Sequence, residues 1–373
     1  MKSLDDLGNR PAAWLSGQGE RGDIVLSSRV RLARNIADHL YPQRANDEQH
    51  KRVVDLVSTA IEKTGIGKTG CFVESASIDE FSRDLLIERH LISQEFLRDD
   101  RSAGLFITED ETTSLMINEE DHLRMQAVSS GMNIRQAMAT VLDLDDQLGA
   151  VLEYDTDPRL GYLTSCPTNV GTGMRASVLI HLPGLVLTRD MDNMLSQVAK
   201  IGLTVRGFYG EGSDVIGNLF QISNQTTLGR SEDDLVESLE KVTRQLIAYE
   251  QDARGRLFAD APDQIKDKIW RALGILGLAR VLTSDEVMNL LSAVRLGVSS
   301  NIIKGVDYAL LNELLLCTRR AHLQRIIGRR MTADDRDVAR AALIRERLWP
   351  IIRTMDFHEV PDDKRDHAVA DDE

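Results

Sequence analysis

The feature that most restricts the fold is a change of pattern near residue 255. Beyond it strand signals stop, and residues 262–350 read as successive helices rich in Leu, Ile, Ala and Arg. Before it, the runs 47–63, 79–91 and 131–152 have helical apolar spacing, and CFVES (71–75) reads as a strand. GLFIT (104–108) and SLMIN (114–118) flank the polar EDETT, which is a hairpin signal. GYLTS (161–165), LTVRGF (203–208) and NLFQISN (218–224) are further strand candidates separated by Gly-rich turns. Residues 231–254 open on a Ser/Asp cap signal and continue as an amphipathic helix. Strict strand–helix–strand alternation is absent. The pattern predicts an α+β domain on an antiparallel sheet, residues 23–254, followed by an all-α domain, residues 255–355. Residues 1–22 are expected to be a flexible N-terminal arm, and residues 356–373 an acidic, solvated tail.

Charge and cysteine content narrow the partners. The 373 residues carry 45 Lys+Arg against 59 Asp+Glu, a formal net charge of -14. A chain this acidic is a poor non-specific binder of nucleic acid or membrane surfaces, so neither is expected as a partner. An anionic ligand would need a local arginine cluster set against the global field. Cys71, Cys166 and Cys317 lie far apart with no CxxC pair, which argues against a disulfide framework or a structural zinc site. There is no signal-peptide pattern and no long apolar span, and a cytoplasmic location is expected.

Two glycine-rich stretches imitate nucleotide loops. TGIGKTG (64–70) has Glu62 where a phosphate-binding loop needs its first Gly, and a helix rather than a strand precedes it. A helix C-terminus and turn is the better reading. GTGMRA (171–176) matches a dinucleotide fingerprint, with Asp190 downstream, but Pro167 lies just before it and Pro183 soon after.

Four stretches carry chemistry. SSRVRLARN (27–35) puts Arg29 and Arg31 on one side of an extended chain. NEEDHLR (118–124) sets three acids before Arg124; CPTNVGTGMRAS (166–177) joins Cys166 to Arg175; RGFYGEG (206–212) places Arg206 and Glu211 around a glycine-rich loop. Singly, each reads equally well as surface charge, a helix cap or, for Cys166, a small core residue. Taken in this order and spacing, the set resembles the phosphagen kinases, the ATP:guanido phosphotransferase family that includes creatine and arginine kinases. Within that family it is most similar to the bacterial protein-arginine kinases. The likeness spans residues 24–250 and continues through GILGLARVLTSDE and RDVARAALIRERL.

The resemblance implies an enzyme that moves the γ-phosphoryl group of ATP to a guanidinium. By motif position, Arg29, Arg31, Arg124, Arg175 and Arg206 would hold the nucleotide phosphates, with His90 a further contact. The runs Ser27, Ser28, Arg29, Val30, Arg31; Arg175, Ala176, Ser177, Val178, Leu179; and Arg206, Gly207, Phe208, Tyr209, Gly210, Glu211 would complete the ATP pocket. Arginine suits this task because its planar fork binds phosphate oxygens bidentately and stays charged. Magnesium would ride on the phosphates, with no protein metal site. Glu120 matches the family's base, Glu211 the second carboxylate that grips the acceptor, and Cys166 the active-site cysteine that orients it without a covalent intermediate.

SSRVR stands near the start, without the helical domain that closes small-guanidine kinases over their substrate. An open site fit for protein-borne arginines is therefore expected. RDVARA (336–341) matches the family's phosphoarginine-binding motif, so Arg336, Asp337, Arg340 and Ala341 would form an allosteric receptor. On spacing alone, a solvated surface balanced by Asp335 and Asp337 is the simpler reading. The likeness further implies a homodimer, a zinc-binding activator protein, a stress-response repressor and a Clp-type protease as partners. A kinase of free arginine and a non-catalytic phosphoarginine adaptor are the rival functions.

Overall fold

The computed structural model describes residues 11–97, 101–207 and 216–355. Its strands are β1 (Val25–Arg34), β2 (Gly70–Glu74), β3 (Gly104–Thr108), β4 (Thr113–Ile117), β5 (Leu123–Ser130), β6 (Thr156–Asp157), β7 (Gly161–Tyr162), β8 (Met174–His181), β9 (Leu203–Gly207) and β10 (Leu219–Asn224). Eight of them form one sheet in the order β2-β3-β4-β5-β1-β8-β10-β9, antiparallel throughout; β6 and β7 form a separate ribbon. The helices are α1 (Asp47–Thr64), α2 (Glu80–Glu88), α3 (Ile134–Gly149), α4 (Pro183–Leu187), α5 (Met191–Lys200), α6 (Glu232–Asp260), α7 (Pro262–Leu278), α8 (Ser284–Ser299), α9 (Tyr308–Cys317), α10 (Arg320–Ile327) and α11 (Ala333–Ile352). The architecture is α+β on an antiparallel sheet, followed by an all-helical region.

Alternation along the strands divides the sheet into two chemically distinct faces. Val30 and Leu32 of β1, Met125 and Ala127 of β5, and Ala176 and Val178 of β8 point to one side, where Val57 of α1, Val141 of α3 and Leu239 of α6 complete the main apolar core. Arg29 and Arg31 point to the other. The helical region has its own core, from Ile265 of α7 to Ile352 of α11. Ala253 packs in the first core and Leu257 against the second, so the division falls inside α6, which runs on to Asp260. Pro262 then starts α7; proline disfavours helical geometry at the residue before it, and Ala261 leaves the helical region there.

Several sequence expectations meet the structure directly. The hairpin is present, with Gly104 opposite Ile117. TGIGKTG is the C-terminus of α1 and a turn, with Gly65 in the left-handed region at φ 78°. GTGMRA leads into a strand, not a helix. GYLTS shrinks to Gly161–Tyr162, and Ser165 N donates to the Asp121 carboxylate rather than to a neighbouring strand. Residues 11–22 depart from a flexible arm. Trp14 and Leu15 are buried, Asn312 donates to Leu15 O at 3.1 Å, and Arg295 donates to Gly22 O at 2.6 Å. Residues 1–10 and the expected acidic tail lie outside the described residues.

One buried ion pair fastens the sheet to its covering helix. Arg34, at the end of β1, forks onto Asp145 of α3 at 2.6–3.2 Å, donates to Thr172 O at 2.8 Å, and lies 3.5 Å from the Tyr162 ring. Removing one partner strands a buried charge. Asp145→Ala is expected to cost about 3–5 kcal/mol in denaturant unfolding, and Arg34→Met/Asp145→Leu together less than Asp145→Ala alone.

Candidate functional site

The strand register assembles the site. Arg29 stands opposite Val128 of β5 and Ser177 of β8; Arg31 stands opposite Gln126 and Arg175. Arg124 lies two residues before Gln126 on β5, and Arg206 stands opposite Gln221, itself opposite Leu179. Residues paired across a ladder, and residues two apart along a strand, share a face. Arg29, Arg31, Arg124, Arg175 and Arg206, contributed by four strands, therefore project from the face away from the apolar core. Ser27, Ser177 and Leu179 share that face. Ser28, Val30, Ala176 and Val178 point the other way: Ser28 Oγ donates to Gly131 O at 2.8 Å, and the other three sit in the core. From the runs 27–31 and 175–179, only alternate side chains face the arginines.

This crowding has an electrostatic signature. Burial, then the charges of Arg124 and Arg175, lower the pKa of Arg29 to about 10. Arg31 is pushed well below its usual range by burial and by Arg29, Arg124 and Arg175, with only Glu119 opposing. Arg31 Nε is buried with no hydrogen-bond partner among the described residues. A buried donor left in this state is costly unless an anion satisfies it. Arg124 is the compensated member. Glu119 grips its Nη1 at 2.6 and 2.7 Å, and this overcomes burial to raise the Arg124 pKa. Burial opposes the reverse effect on Glu119, but Arg124 and the Ser93 hydroxyl hold that carboxyl below its usual range.

His90 follows α2 in the left-handed region, at φ 58°, a strained place for a non-glycine residue. Gln126 of β5 holds its carbonyl at 2.6 Å. A cavity of about 250 Å³ is lined by Arg29, Arg31, His90, Leu179 and Gln221, together with Trp14, Leu15 and residues of α9. A larger cleft, about 770 Å³, lies elsewhere. Its wall of Glu109, Asp110, Glu111 and Asp143 repels a polyanion.

The acidic turn between β4 and β5 supplies the second half of the site. Glu120 forms part of two cavities, one of about 320 Å³ shared with Glu119 and Arg124, the other an open cleft of about 700 Å³ shared with Tyr41, Arg44 and Ser165. It therefore stands between the arginine face and solvent. Burial, followed by the charges of Asp121, Glu119 and Glu95, raises its pKa against the pull of Arg124. Asp121 accepts from Ser165 N at 2.6 Å and from Asn35 Nδ2 at 2.7 Å, which fixes the loop carrying Cys166 beside this turn. Cys166 is half-buried, with Sγ 3.0 Å from Thr168 Oγ1. Phe208, Tyr209, Gly210 and Glu211 lie outside the described residues, so the second carboxylate has no placement here. Among the described residues, no group of three or more His, Cys, Asp or Glu side chains could hold a metal ion.

The RDVARA motif lies on α11, away from these cavities. Arg336 is half-buried and donates to Met331 O at 2.9 Å. Arg340 is buried, bonded to Thr318 O and Leu282 O at 2.8 Å and paired with Asp337, while Ala341 lies in the helical core. The face expected to present two like charges thus presents mainly Arg336, because α11 packs position 340 inward. Sequence reasoning missed Trp14, Leu15, Glu119 and Gln221. Only Glu119 carried a signal, standing five residues before Arg124 in the same acidic run.

Comparison with known proteins is consistent along the chain. The family described as ATP:guanido phosphotransferase, C-terminal catalytic domain, matches residues 52–253. The one described as Protein-arginine kinase McsB C-terminal domain matches residues 262–359. The chain is 44% identical over 348 residues to a protein-arginine kinase of Pelotomaculum thermopropionicum, covering 92% of this chain and 98% of that protein. It is 45% identical over 339 residues to one of Geobacillus stearothermophilus, covering 90% and 93%. Among solved structures, lombricine kinase superposes with a TM-score of 0.56 at 27% identity, over 67% of this chain and 71% of that one. The duplicated taurocyamine kinase from Schistosoma mansoni with bound transition-state analogue components gives 0.59 at 24% identity, over 72% of this chain and 39% of that longer one, a likeness of fold alone.

The cationic face makes one titration distinctive. Burial, then Arg29, Arg319 and His322, push the His90 pKa down to about 3. The imidazole should stay neutral in NMR titration from pH 8 to 5; a midpoint near 6.5 would contradict the geometry. Below about pH 6.5 the unfolded chain takes up a proton at this residue that the native state refuses, so its contribution makes the fold less stable as pH falls towards 3.

Proposed function

The chain belongs to the protein-arginine kinases of the ATP:guanido phosphotransferase family, and from that premise we propose that it transfers the γ-phosphoryl group of ATP to arginine side chains displayed by other proteins. The observation that carries this reading is the shared face of Arg29, Arg31, Arg124, Arg175 and Arg206, with Glu120 at its edge. Phosphoryl transfer needs fixed donors around the phosphates and the group in flight, because its transition state spreads negative charge over several oxygens. Preformed arginine forks meet that need without reorganising, and Arg31 Nε is a buried donor awaiting an acceptor. Magnesium, carried on the phosphates, would neutralise further charge.

The acceptor's requirement is a base. A guanidinium stays protonated far above neutral pH and is a poor nucleophile until a proton leaves. Glu120 would orient the guanidinium and take that proton as the new P–N bond forms and the bond to the ADP oxygen breaks. Its raised pKa makes it a better base than an ordinary carboxylate. Cys166, on the neighbouring loop, would help to orient the same guanidinium. The open cleft on the solvent side of Glu120 supports an acceptor carried on a protein chain rather than a small enclosed guanidine. Glu211 is proposed as the second carboxylate on motif position alone.

On the sequence resemblance alone we further propose the wider setting: a cytoplasmic homodimer that marks proteins for a Clp-type protease, regulates a stress-response repressor and works with a zinc-binding activator. Arg336, Asp337, Arg340 and Ala341 are proposed as its phosphoarginine receptor on the same ground, and receiving a ligand there would require Arg340 to exchange its internal partners. No described helix is long and apolar enough to cross a membrane.

Incubation with ATP and an unfolded, arginine-rich protein should yield acid-labile phosphate on arginine, identified by mass spectrometry; phosphate on free arginine alone would favour the small-guanidine reading. With protein substrate, the acid limb of kcat/KM should lie above about pH 4.3, the ordinary glutamate value, because Glu120 must be unprotonated to act. Glu120→Gln should lower kcat at least 100-fold while ADP still binds.

A further inference from the structure

The helical region reaches into the nucleotide cavity. The cavity lined by Arg29, Arg31 and His90 is closed on its other side by Leu315, Leu316 and Arg319, from the end of α9 and the turn into α10. Arg319 is half-buried, and its charge is among those that depress His90. The backbone at this turn is pinned from two directions. Thr318 O accepts from Arg340 Nε of α11 at 2.8 Å. Ala321 N and His322 N donate to the Glu88 carboxylate at 2.8 and 3.0 Å, two residues before His90. His322 Nε2 in turn lies 3.2 Å from Nη1 of Arg89, whose guanidinium is buried against Glu111. Arg319 therefore has a fixed place at the cavity wall, set by contacts from both α11 and α2.

Resting on the function proposed above, we infer that Arg319 is a further nucleotide-binding residue: the helical region supplies it to the phosphate chain of ATP from the side opposite β1. Arg319 lines the same cavity as Arg29 and Arg31, so a polyphosphate held there would meet guanidinium groups from the sheet and from the helical region together. Nucleotide affinity then depends on how the helical region seats against the sheet. The Arg340 bond to Thr318 O and the Glu88 bonds to Ala321 and His322 together set that seating.

The test is calorimetric titration of ADP into the full chain. Arg319→Ala should weaken binding about tenfold or more, the scale of one charge-assisted hydrogen bond, and Arg319→Lys should recover part of the loss. Arg320, exposed on α10 and 3.3 Å from Asp84, is the neighbouring control; Arg320→Ala should leave ADP affinity within about twofold. Should Arg319→Ala lower the melting temperature, Arg319→Lys at an unchanged melting temperature still has to bind more weakly than the parent. Undiminished affinity in Arg319→Ala, or equal weakening in Arg320→Ala, overturns the inference while leaving the kinase reading intact. Failure of the parent chain to bind ADP overturns both.

Discussion

Everything at this site depends on the antiparallel pairing of β1 between β5 and β8. Side chains alternate along a strand, so a slip of one residue in either ladder would turn Arg29 and Arg31 into the apolar core and bring Val30 and Leu32 out. The register is enforced from the core side. Val30, Leu32, Met125, Ala176 and Val178 are essentially inaccessible to solvent, and Arg34 is locked onto Asp145 just where β1 ends. Ordinary hydrophobic burial on one face therefore holds together, on the other, a group of like charges that would disperse if left to themselves. The cost appears in the lowered pKa values of Arg29 and Arg31 and in the unsatisfied Arg31 Nε. A site of this kind is preorganised for an anion and strained without one.

The acidic turn is held with equal care. Asn118 takes a left-handed conformation, at φ 60°, and its amide donates to His50 O and Ser102 O at 2.9 Å. Glu119 and Asp121 then point to opposite tasks, one neutralising Arg124, the other fixing Ser165, and Glu120 is left between them at the border of two cavities. Three adjacent acids thus differ in role because the turn and its hydrogen bonds give each a different environment.

Much of this was legible in the sequence. The β3–β4 hairpin and helices α1, α3 and α6 follow from periodicity and turn chemistry, and the same-side placement of Arg29 and Arg31 follows from alternation in β1. Strands β5 and β8 were not legible. LRMQAVSS and MRASVLIH bury residues on both faces, so their apolar positions do not alternate cleanly, and such short runs fit strand or helix equally well. Trp14 and Leu15 were hidden in a Gly-rich, polar stretch; their burial depends on α9, some 300 residues away, which no local pattern reports. Arg340 was expected at the surface from helical spacing, but which face of α11 packs inward is decided by α7 and α10, a tertiary choice outside the reach of spacing.

The central claim is that buried hydrophobic register holds crowded arginines, Arg29 and Arg31 foremost, ready for a polyphosphate. Thermal unfolding of Arg31→Met, with and without ADP and magnesium, tests it most directly. Replacing a strained cation by an apolar side chain of similar length should leave the ligand-free protein as stable as the parent or more so. The parent should be stabilised by about 2.7 kcal/mol at an ADP concentration 100 times its dissociation constant, and the variant should lose that gain. A variant that is less stable without nucleotide yet keeps the full ADP-dependent gain would contradict the account.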